Sequence, residues 1–222
     1  MTNLYGVYDD AKKIDFGSLP DKVFFKTNHA SGKNAVFDRN KPFDQKKFER
    51  EFNFALRQNY YWQSREWNYK DIKPLILAEQ FLESERLVDY KFLCFDGEPR
   101  LLFVETDIAR EDGTHNPKGK RNVYDMNYNL IEGLRIGRDN FDASVLEKPK
   151  NFETMIKYAE MLSQPFPHCR VDLYNIKGRI YFGEITFYHG GATQEITPEE
   201  WDERLGSWID LNNNKIIKVT PE

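Results

Sequence analysis

Apolar and polar positions change period several times along the chain, and each change marks an element. Val23-Phe24-Phe25-Lys26 reads as a short strand, residues 27–34 as a polar loop, and Ala35-Val36-Phe37 as the returning strand. Over residues 44–61 the apolar positions Phe48, Phe52, Ala55, Leu56 and Tyr60 recur at helical spacing. Residues 75–78, after Pro74, form a buried strand. Residues 89–95 and 100–105 flank Asp96-Gly97, the signal of a two-residue hairpin turn. Residues 107–122 are polar with Gly and Pro and predict one mobile loop. Asn151 is placed as the N-cap of a helix reaching Leu162, with Phe152, Met155, Ile156 and Ala159 inward and Pro165 and Pro167 as the stop. Thr197-Pro198-Glu199-Glu200 predicts a capping box opening a last helix through Trp208. Residues 1–20 read as an irregular lead-in. Strand pairs interspersed with helices imply an α+β fold with antiparallel sheet.

The alternation is broken most informatively near the C-terminal end. Residues 170–175 and 180–186 predict a hairpin joined at Lys177-Gly178 by a loop of about three residues, and each strand carries one carboxylate inside an apolar run. Alternation puts Asp172 on a face with Tyr174 and Ile176, and Glu184 on a face with Phe182 and Ile180. Two like charges opposite each other across a hairpin repel. A divalent cation would remove the repulsion, and Mg²⁺ favours one or two carboxylates with phosphate oxygens. The same residues also fit solvated acids, or acids paired with Arg170, Arg179 or a distant lysine. Spacing alone does not choose.

Composition narrows the class. The chain has 222 residues, 40% hydrophobic and 31% charged, as an ordinary globular protein has, and enough length for one large domain or two small ones. Aromatics at 15% point to a well-filled core and leave room for a ring-stacking site. A net charge of −4, with no alternation of aromatic and basic residues along a strand, argues against a nucleic-acid partner. Cys94 and Cys169 have no CxxC partner and read as buried free thiols, and the four histidines show no zinc spacing. No stretch is long enough for membrane insertion, and no basic leader precedes an apolar run, so the expected location is the cytoplasm.

Three further segments carry candidate chemistry. Lys26 ends a strand before a loop of small residues containing His29, Ala30, Ser31 and Gly32, where backbone N–H groups could cradle phosphate; an ordinary exposed hairpin loop fits the same residues. Glu79, Gln80, Phe81 and Leu82 follow a buried strand and could present backbone groups and a ring to an adenine; a plain strand end also fits. Asp89 and Lys91, at i and i+2, share a face opposite Tyr90, Phe92 and Cys94, either as an acid for ribose beside a lysine for phosphate or as an exposed ion pair worth little.

Together these segments resemble the ATP-grasp superfamily, specifically its TupA-like (teichuronopeptide-biosynthesis) family. The resemblance lies in Leu19-Pro20-Asp21-Lys22-Val23-Phe24-Phe25-Lys26-Thr27-Asn28-His29-Ala30-Ser31-Gly32, Asn59-Tyr60-Tyr61-Trp62, Arg65-Glu66-Trp67, Asp89-Tyr90-Lys91-Phe92, Arg170-Val171-Asp172, Tyr181-Phe182-Gly183-Glu184-Ile185-Thr186 and Thr197-Pro198-Glu199-Glu200-Trp201. It implies two α+β subdomains with antiparallel sheets clamping ATP: a small lid subdomain over residues 21–82 and a metal-binding subdomain over 83–222, with an N-terminal portion missing or reduced to residues 1–20. It implies Lys26 on the α/β-phosphates, the loop of His29, Ser31 and Gly32 over them, Glu79, Gln80, Phe81 and Leu82 as the adenine hinge, and Asp89 toward the ribose. Lys91 would face the terminal phosphate or the acceptor and Arg170 would lie near the terminal phosphate, while Asp172, Glu184 and Thr186 would hold Mg²⁺, Thr186 standing where asparagine is common. The implied reaction is ATP- and Mg²⁺-dependent joining of a small-molecule or saccharide carboxylate to an amine through an acylphosphate, in cell-surface glycopolymer synthesis. Arg110, Arg121 and His189 are expected at the acceptor, and a partner chain could supply the missing N-terminal wall. A kinase phosphorylating a hydroxyl, and a nucleotide-binding scaffold without turnover, are the alternatives.

Overall fold

The computed structural model describes residues 2–84 and 86–211. The chain divides into two compact units: residues up to Glu83 together with Ile108–Pro117, and Ser84–Asp107 together with the chain from Lys118 onward.

In the first unit β1 (Leu4–Tyr8), β2 (Lys22–Thr27), β3 (Asn34–Asp38) and β4 (Ile76–Gln80) form an antiparallel sheet in the order β1-β4-β2-β3. The expectation of an irregular lead-in is corrected, because Gly6, Val7 and Tyr8 of β1 pair with Ala78, Leu77 and Ile76 of β4. Helix α1 (Gln45–Ala55) is opened by Asp44, whose side chain accepts from the Lys47 N–H. It ends well before Tyr61, and a single separate turn α2 (Tyr61–Ser64) follows. Phe48 and Phe52 of α1 stack at 4.2 Å and pack on Phe25, so a phenylalanine cluster fills the space between helix and sheet. Val23 and Phe25 face this core. Strand alternation leaves Phe24 and Lys26 of β2 on the opposite face with Leu77 and Glu79 of β4.

Residues 107–122 are not one loop. Ile108–Pro117 belongs to the first unit, where the Val36 N–H donates to the Asp112 carbonyl at 2.8 Å, and the chain then enters a strand at Lys120.

The second unit holds β5 (Val88–Phe95), β6 (Glu98–Thr106), β7 (Lys120–Tyr124), β8 (Arg135–Ile136), α3 (Phe152–Ser163), β9 (His168–Ile176), β10 (Arg179–Thr186), β11 (Ile196–Thr197) and α4 (Glu200–Ser207). Five of these strands make an antiparallel sheet in the order β10-β9-β5-β6-β7. One face, with Tyr90, Phe92, Cys94, Leu102, Val104, Val171 and Leu173, packs on Phe152, Met155 and Ala159 of α3. The other face is divided. At one end Leu93, Phe95, Leu101 and Phe103 lie under Leu134, Ile136 and Leu205, with Trp201 and Trp208 beside them. The other end is charged. Cys94 and Cys169 are buried and free, as expected.

Asn151 is the N-cap residue of α3, as expected, although its side chain makes no capping hydrogen bond and its amide donates to the Gly178 carbonyl at 2.8 Å. One local expectation fails. Thr197 lies in β11, so no capping box opens α4.

The hairpin β9–β10 is tighter than expected. Ile176 pairs with Arg179 across Lys177 and Gly178, both with positive φ (52° and 81°). A bulge at Gly183 then shifts the register, so that Phe182 pairs with Leu173 while Glu184 pairs with Asp172. The extra residue turns Glu184 away from the face of Phe182, which packs in the core, and onto the charged face with Asp172. A side chain at 183 would come within 3.1 Å of the Asp172 carbonyl oxygen, so the close strand approach suits glycine.

Candidate functional site

The charged end of the central sheet gathers side chains from five strands. β5 supplies Asp89 and Lys91, β6 Glu105, β7 Arg121, β9 Arg170, Asp172 and Tyr174, and β10 Glu184 and Thr186. Lys91 pairs in register with Asp172, Asp89 with Tyr174 and Glu105, and Glu105 with Arg121. The Lys91 ammonium lies 2.7 Å from Asp172, 3.3 Å from Asp89 and 3.6 Å from Glu105. Arg170 grips Asp172 with two nitrogens, at 2.6 and 2.7 Å. Its Nη2 also donates to Glu184 at 3.1 Å and to the Thr186 hydroxyl at 3.0 Å. Planar guanidinium forks suit such bidentate binding. All of these charges except Glu184 are buried; the Glu184 side chain is 60% exposed.

Buried charge shifts proton equilibria in a definite pattern. Burial raises the Asp89 carboxyl, Lys91 pulling the other way without prevailing. Burial also acts to raise Asp172, but Arg170 and Lys91 outweigh it and hold the carboxyl below its ordinary value. Glu105 behaves likewise under Lys91 and Arg121. Tyr174 is pushed well above the usual phenol value by Asp89 and by burial.

The expected repulsion between Asp172 and Glu184 is answered within the protein. The Arg170 guanidinium lies between them, and the alternative of pairing with Arg170 is the arrangement adopted. Three oxygens, from Asp172, Glu184 and Thr186, therefore converge on one cationic nitrogen. This all-oxygen, two-carboxylate set suits a hard divalent ion such as Mg²⁺, with Arg170 Nη2 marking the position. Among the described residues no group of three His, Cys, Asp or Glu side chains is gathered closely enough to hold a metal.

Arg121 is only 4% exposed, and its donors are engaged by Glu105, by the Ile136 carbonyl at 2.7 Å and by Gln194 at 3.2 Å. It braces Glu105 instead of projecting toward solvent. Arg110, expected beside it, lies in the first unit against Thr114. His189 packs against Phe103 and His168 at 6.0 and 5.7 Å, and burial, helped by Arg170, lowers its pKa to about 3. Burial also lowers His168, against the Cys94 carbonyl that its ring contacts at 2.9 Å.

Because the unfolded chain binds protons on these histidines near pH 6.5 and the folded one does not, stability is lost as pH falls below about 6.5. The urea midpoint is expected to be lower at pH 5.5 than at 7.5, and His189→Gln is expected to shrink that difference. An unchanged difference would remove His189 from the explanation.

In the first unit Lys26 and Glu79 form an ion pair at 3.0 Å on the face away from the phenylalanine core. The Lys22 ammonium sits 4.1 Å over the Phe81 ring. Gln80 ends β4 and reaches the Asn3 N–H with its side chain at 3.3 Å; Leu82 follows, half-buried. The loop after Lys26 is clamped at its base. Asn28 bonds to Lys73 and Leu75, and His29, 2% exposed, donates to the Ala55 carbonyl at the end of α1 at 3.0 Å. His29 thus anchors the loop, while Ser31 and Gly32 form its exposed tip, Gly32 with φ +84°.

Glu105, Tyr174, Arg138 and Gln194 were not singled out from the sequence. Glu105 had a legible signal, an acid ending the apolar run Leu101-Leu102-Phe103-Val104, the same pattern that marked Asp172. Arg138 and Gln194 lie in irregular segments that only folding brings to the sheet, where Arg138 Nε comes within 3.6 Å of Glu105.

A protein-family model described as TupA-like ATP-grasp matches residues 3–210. No curated protein matches the chain. Among solved structures the chain is similar to D-alanine–D-alanine ligase from Bacillus anthracis complexed with ATP, at 11% identity and a TM-score of 0.43, covering 84% of this chain and 47% of that one. It is also similar to an L-amino acid ligase from Bacillus licheniformis, at 13% identity and a TM-score of 0.46, covering 84% and 39%. The chain thus spans less than half the length of either. Among the described residues no helix is long and apolar enough to cross a membrane.

Proposed function

This chain belongs to the TupA-like ATP-grasp family, and on that premise we propose that it is an ATP-dependent carboxylate–amine ligase acting through an acylphosphate, in the synthesis of a cell-surface glycopolymer. The observation that carries the reading is the buried group of Lys91, Arg170 and Asp172, with Glu184 and Thr186 at its margin. Two fixed cations beside a convergent oxygen set are what phosphoryl transfer to a carboxylate requires, since that chemistry is chiefly positioning and charge stabilisation.

Asp172, Glu184 and Thr186 would hold Mg²⁺, which when bound neutralises charge on the phosphates. Arg170, released from those oxygens, would bind the terminal phosphate oxygens, and Lys91 would stay on the transferring group. Asp172 and Glu105 keep Lys91 charged and aimed. Asp89, with its raised pKa, would accept from a ribose hydroxyl as an acid less committed to ionisation. In the first unit Lys26 would serve the α/β-phosphates and the Ser31-Gly32 tip would lie over them, while Glu79, Gln80, Phe81 and Leu82 would face the adenine. The acceptor carboxylate attacks the terminal phosphorus and ADP leaves. An amine then attacks the acyl carbon of the acylphosphate and phosphate leaves, with Arg170 stabilising the developing oxyanion charge.

The test is a product assay with candidate uronates and amino acids. Equal amounts of ADP, free phosphate and amide are expected, with turnover lowered about 100-fold or more in Glu184→Gln. A phosphoester without free phosphate would replace the ligase reading with a kinase, and retained turnover in Glu184→Gln would remove the proposed Mg²⁺ ligand.

A further inference from the structure

We propose that the cavity at the start of α3, on the face of the central sheet opposite the charged site, binds a small phosphate monoester that carries hydroxyl groups. Tyr90 alternates along β5 with Asp89 and Lys91, so its side chain lies on the α3 face with Phe92 and Cys94. There it borders a cavity of about 450 Å³, which Asn151 at the N-cap of α3, Asn175 of β9 and Lys177 of the following turn also line. The volume is within the usual range for a small-molecule site.

The cavity holds polar groups that the fold leaves unused. Tyr90 is 5% exposed, and its hydroxyl has no hydrogen-bond partner among the described residues. Two more phenols packed into the same core, Tyr124 and Tyr128, stack at 4.5 Å with both hydroxyls buried and unpartnered. Buried hydroxyls are ordinarily bonded, so an unpartnered one at a cavity points to a polar ligand. Burial, helped by Tyr124, pushes the Tyr90 phenol up to about 12, so it keeps a proton to donate. The Asn175 amide donates to Asn151 and to the Met155 sulfur, which leaves its carbonyl oxygen as a free acceptor. Lys150 and Lys177 are exposed and form no ion pair among the described residues, and neither does Glu147, which lines the same cavity. Glu153, the acid in the first turn of α3, is taken by Lys148 at 3.1 Å.

The ligand must match two lysines, one phenol donor and two oxygen acceptors. A phosphate monoester carries about −1.5 to −2 charge near pH 7, enough for both lysines. Lysine suits phosphate as a point charge, and the positive end of α3 adds to the attraction. Hydroxyls on the body of the ligand donate to Glu147 and to the Asn175 carbonyl. A carboxylate brings too little charge, and inorganic phosphate, with a single O–H in its dianion, cannot serve both acceptors. The cavity uses none of the ligase residues and does not depend on that reading.

The test is calorimetry of the full chain with glycerol 3-phosphate, inorganic phosphate and glycerol. Glycerol 3-phosphate is expected to bind, inorganic phosphate to bind more weakly and glycerol not to bind. The double variant Lys150→Gln, Lys177→Gln should lose about tenfold or more in affinity. Tyr90→Phe keeps the ring packing and removes only the hydroxyl, so it should lose about fivefold with no drop in the urea midpoint of the free protein. Saturating ATP should leave the affinity unchanged, because Lys91 and Arg170 lie on the other face of the sheet. No binding of glycerol 3-phosphate, equal binding of inorganic phosphate, unchanged affinity in the double variant or in Tyr90→Phe, or displacement by ATP overturns the proposal. A wild-type chain that binds glycerol 3-phosphate but not ATP would defeat the ligase reading and leave this one standing.

Discussion

Asp172→Asn is expected to abolish ADP formation and to cost the fold several kcal/mol. Asp172 is the shared anion of Lys91 and Arg170, taking one bond from the first and two from the second, all inside the protein. Asparagine matches its shape but brings no charge, and its amide N–H₂ would face two cations that only donate. Removing one member of a buried ion group leaves the others unpaired, at a cost of about 3–5 kcal/mol. The catalytic loss should be about 10³-fold or more, since a proposed Mg²⁺ oxygen and the alignment of both phosphate-binding cations go together. Denaturant unfolding and ADP release at low temperature, where the variant stays folded, check the two effects separately. Unchanged stability would mean that the ion group is not held as described, and turnover within tenfold of wild type would exclude Asp172 from the chemistry.

Lys91→Met tests the same array from the opposite sign of charge. Its ammonium is the cation nearest Asp89 and it also serves Glu105 and Asp172. Without it three buried carboxylates face one another with less compensation, and a loss of about 3–5 kcal/mol is expected at pH 8. Here the pH dependence is diagnostic. Asp89 is already raised by burial, and losing Lys91 raises it further. A group whose folded pKa exceeds its unfolded value binds more protons when folded, so stability is regained as pH falls through the folded value. The gap between Lys91→Met and wild type should therefore narrow from pH 8 to pH 5, whereas that of Asp172→Asn should not. A gap constant across this range would place the missing charge elsewhere. Turnover of ATP should be lost in Lys91→Met at every pH.

Both predictions rest on residues that the sequence marked. Asp172 and Glu184 stood out as charges inside apolar strand runs, Asp89 and Lys91 as i, i+2 neighbours on one strand face, and Arg170 through the family resemblance; the first two signals are local because strand alternation is a property of a few consecutive residues. None of these signals shows what those charges do to one another. Arg170 was expected to serve phosphate, and in the folded chain it also occupies the position between Asp172 and Glu184. Arg121 was expected in a mobile loop and is buried on a strand, because the stretch around it divides between two units. His29 was expected to cover phosphate and anchors its loop to α1, since burial depends on which helix arrives behind it.

The sequence by itself determined the α+β alternation, the α1 core stripe of Phe48 and Phe52, the Asp96-Gly97 turn, the buried thiols and the family resemblance, all carried by spacing and residue type over short stretches. Only the tertiary structure decided that residues 1–20 contribute a sheet strand, that Ile108–Pro117 joins the first unit, and that Gly183 bulges to turn Glu184 onto the face of Asp172. Only it gathered Glu105 and Arg121 around Lys91 and Asp172. The physical reason is range: periodicity and turn chemistry act between near neighbours, whereas register, burial and charge pairing depend on residues distant in the chain that meet only when the sheet closes.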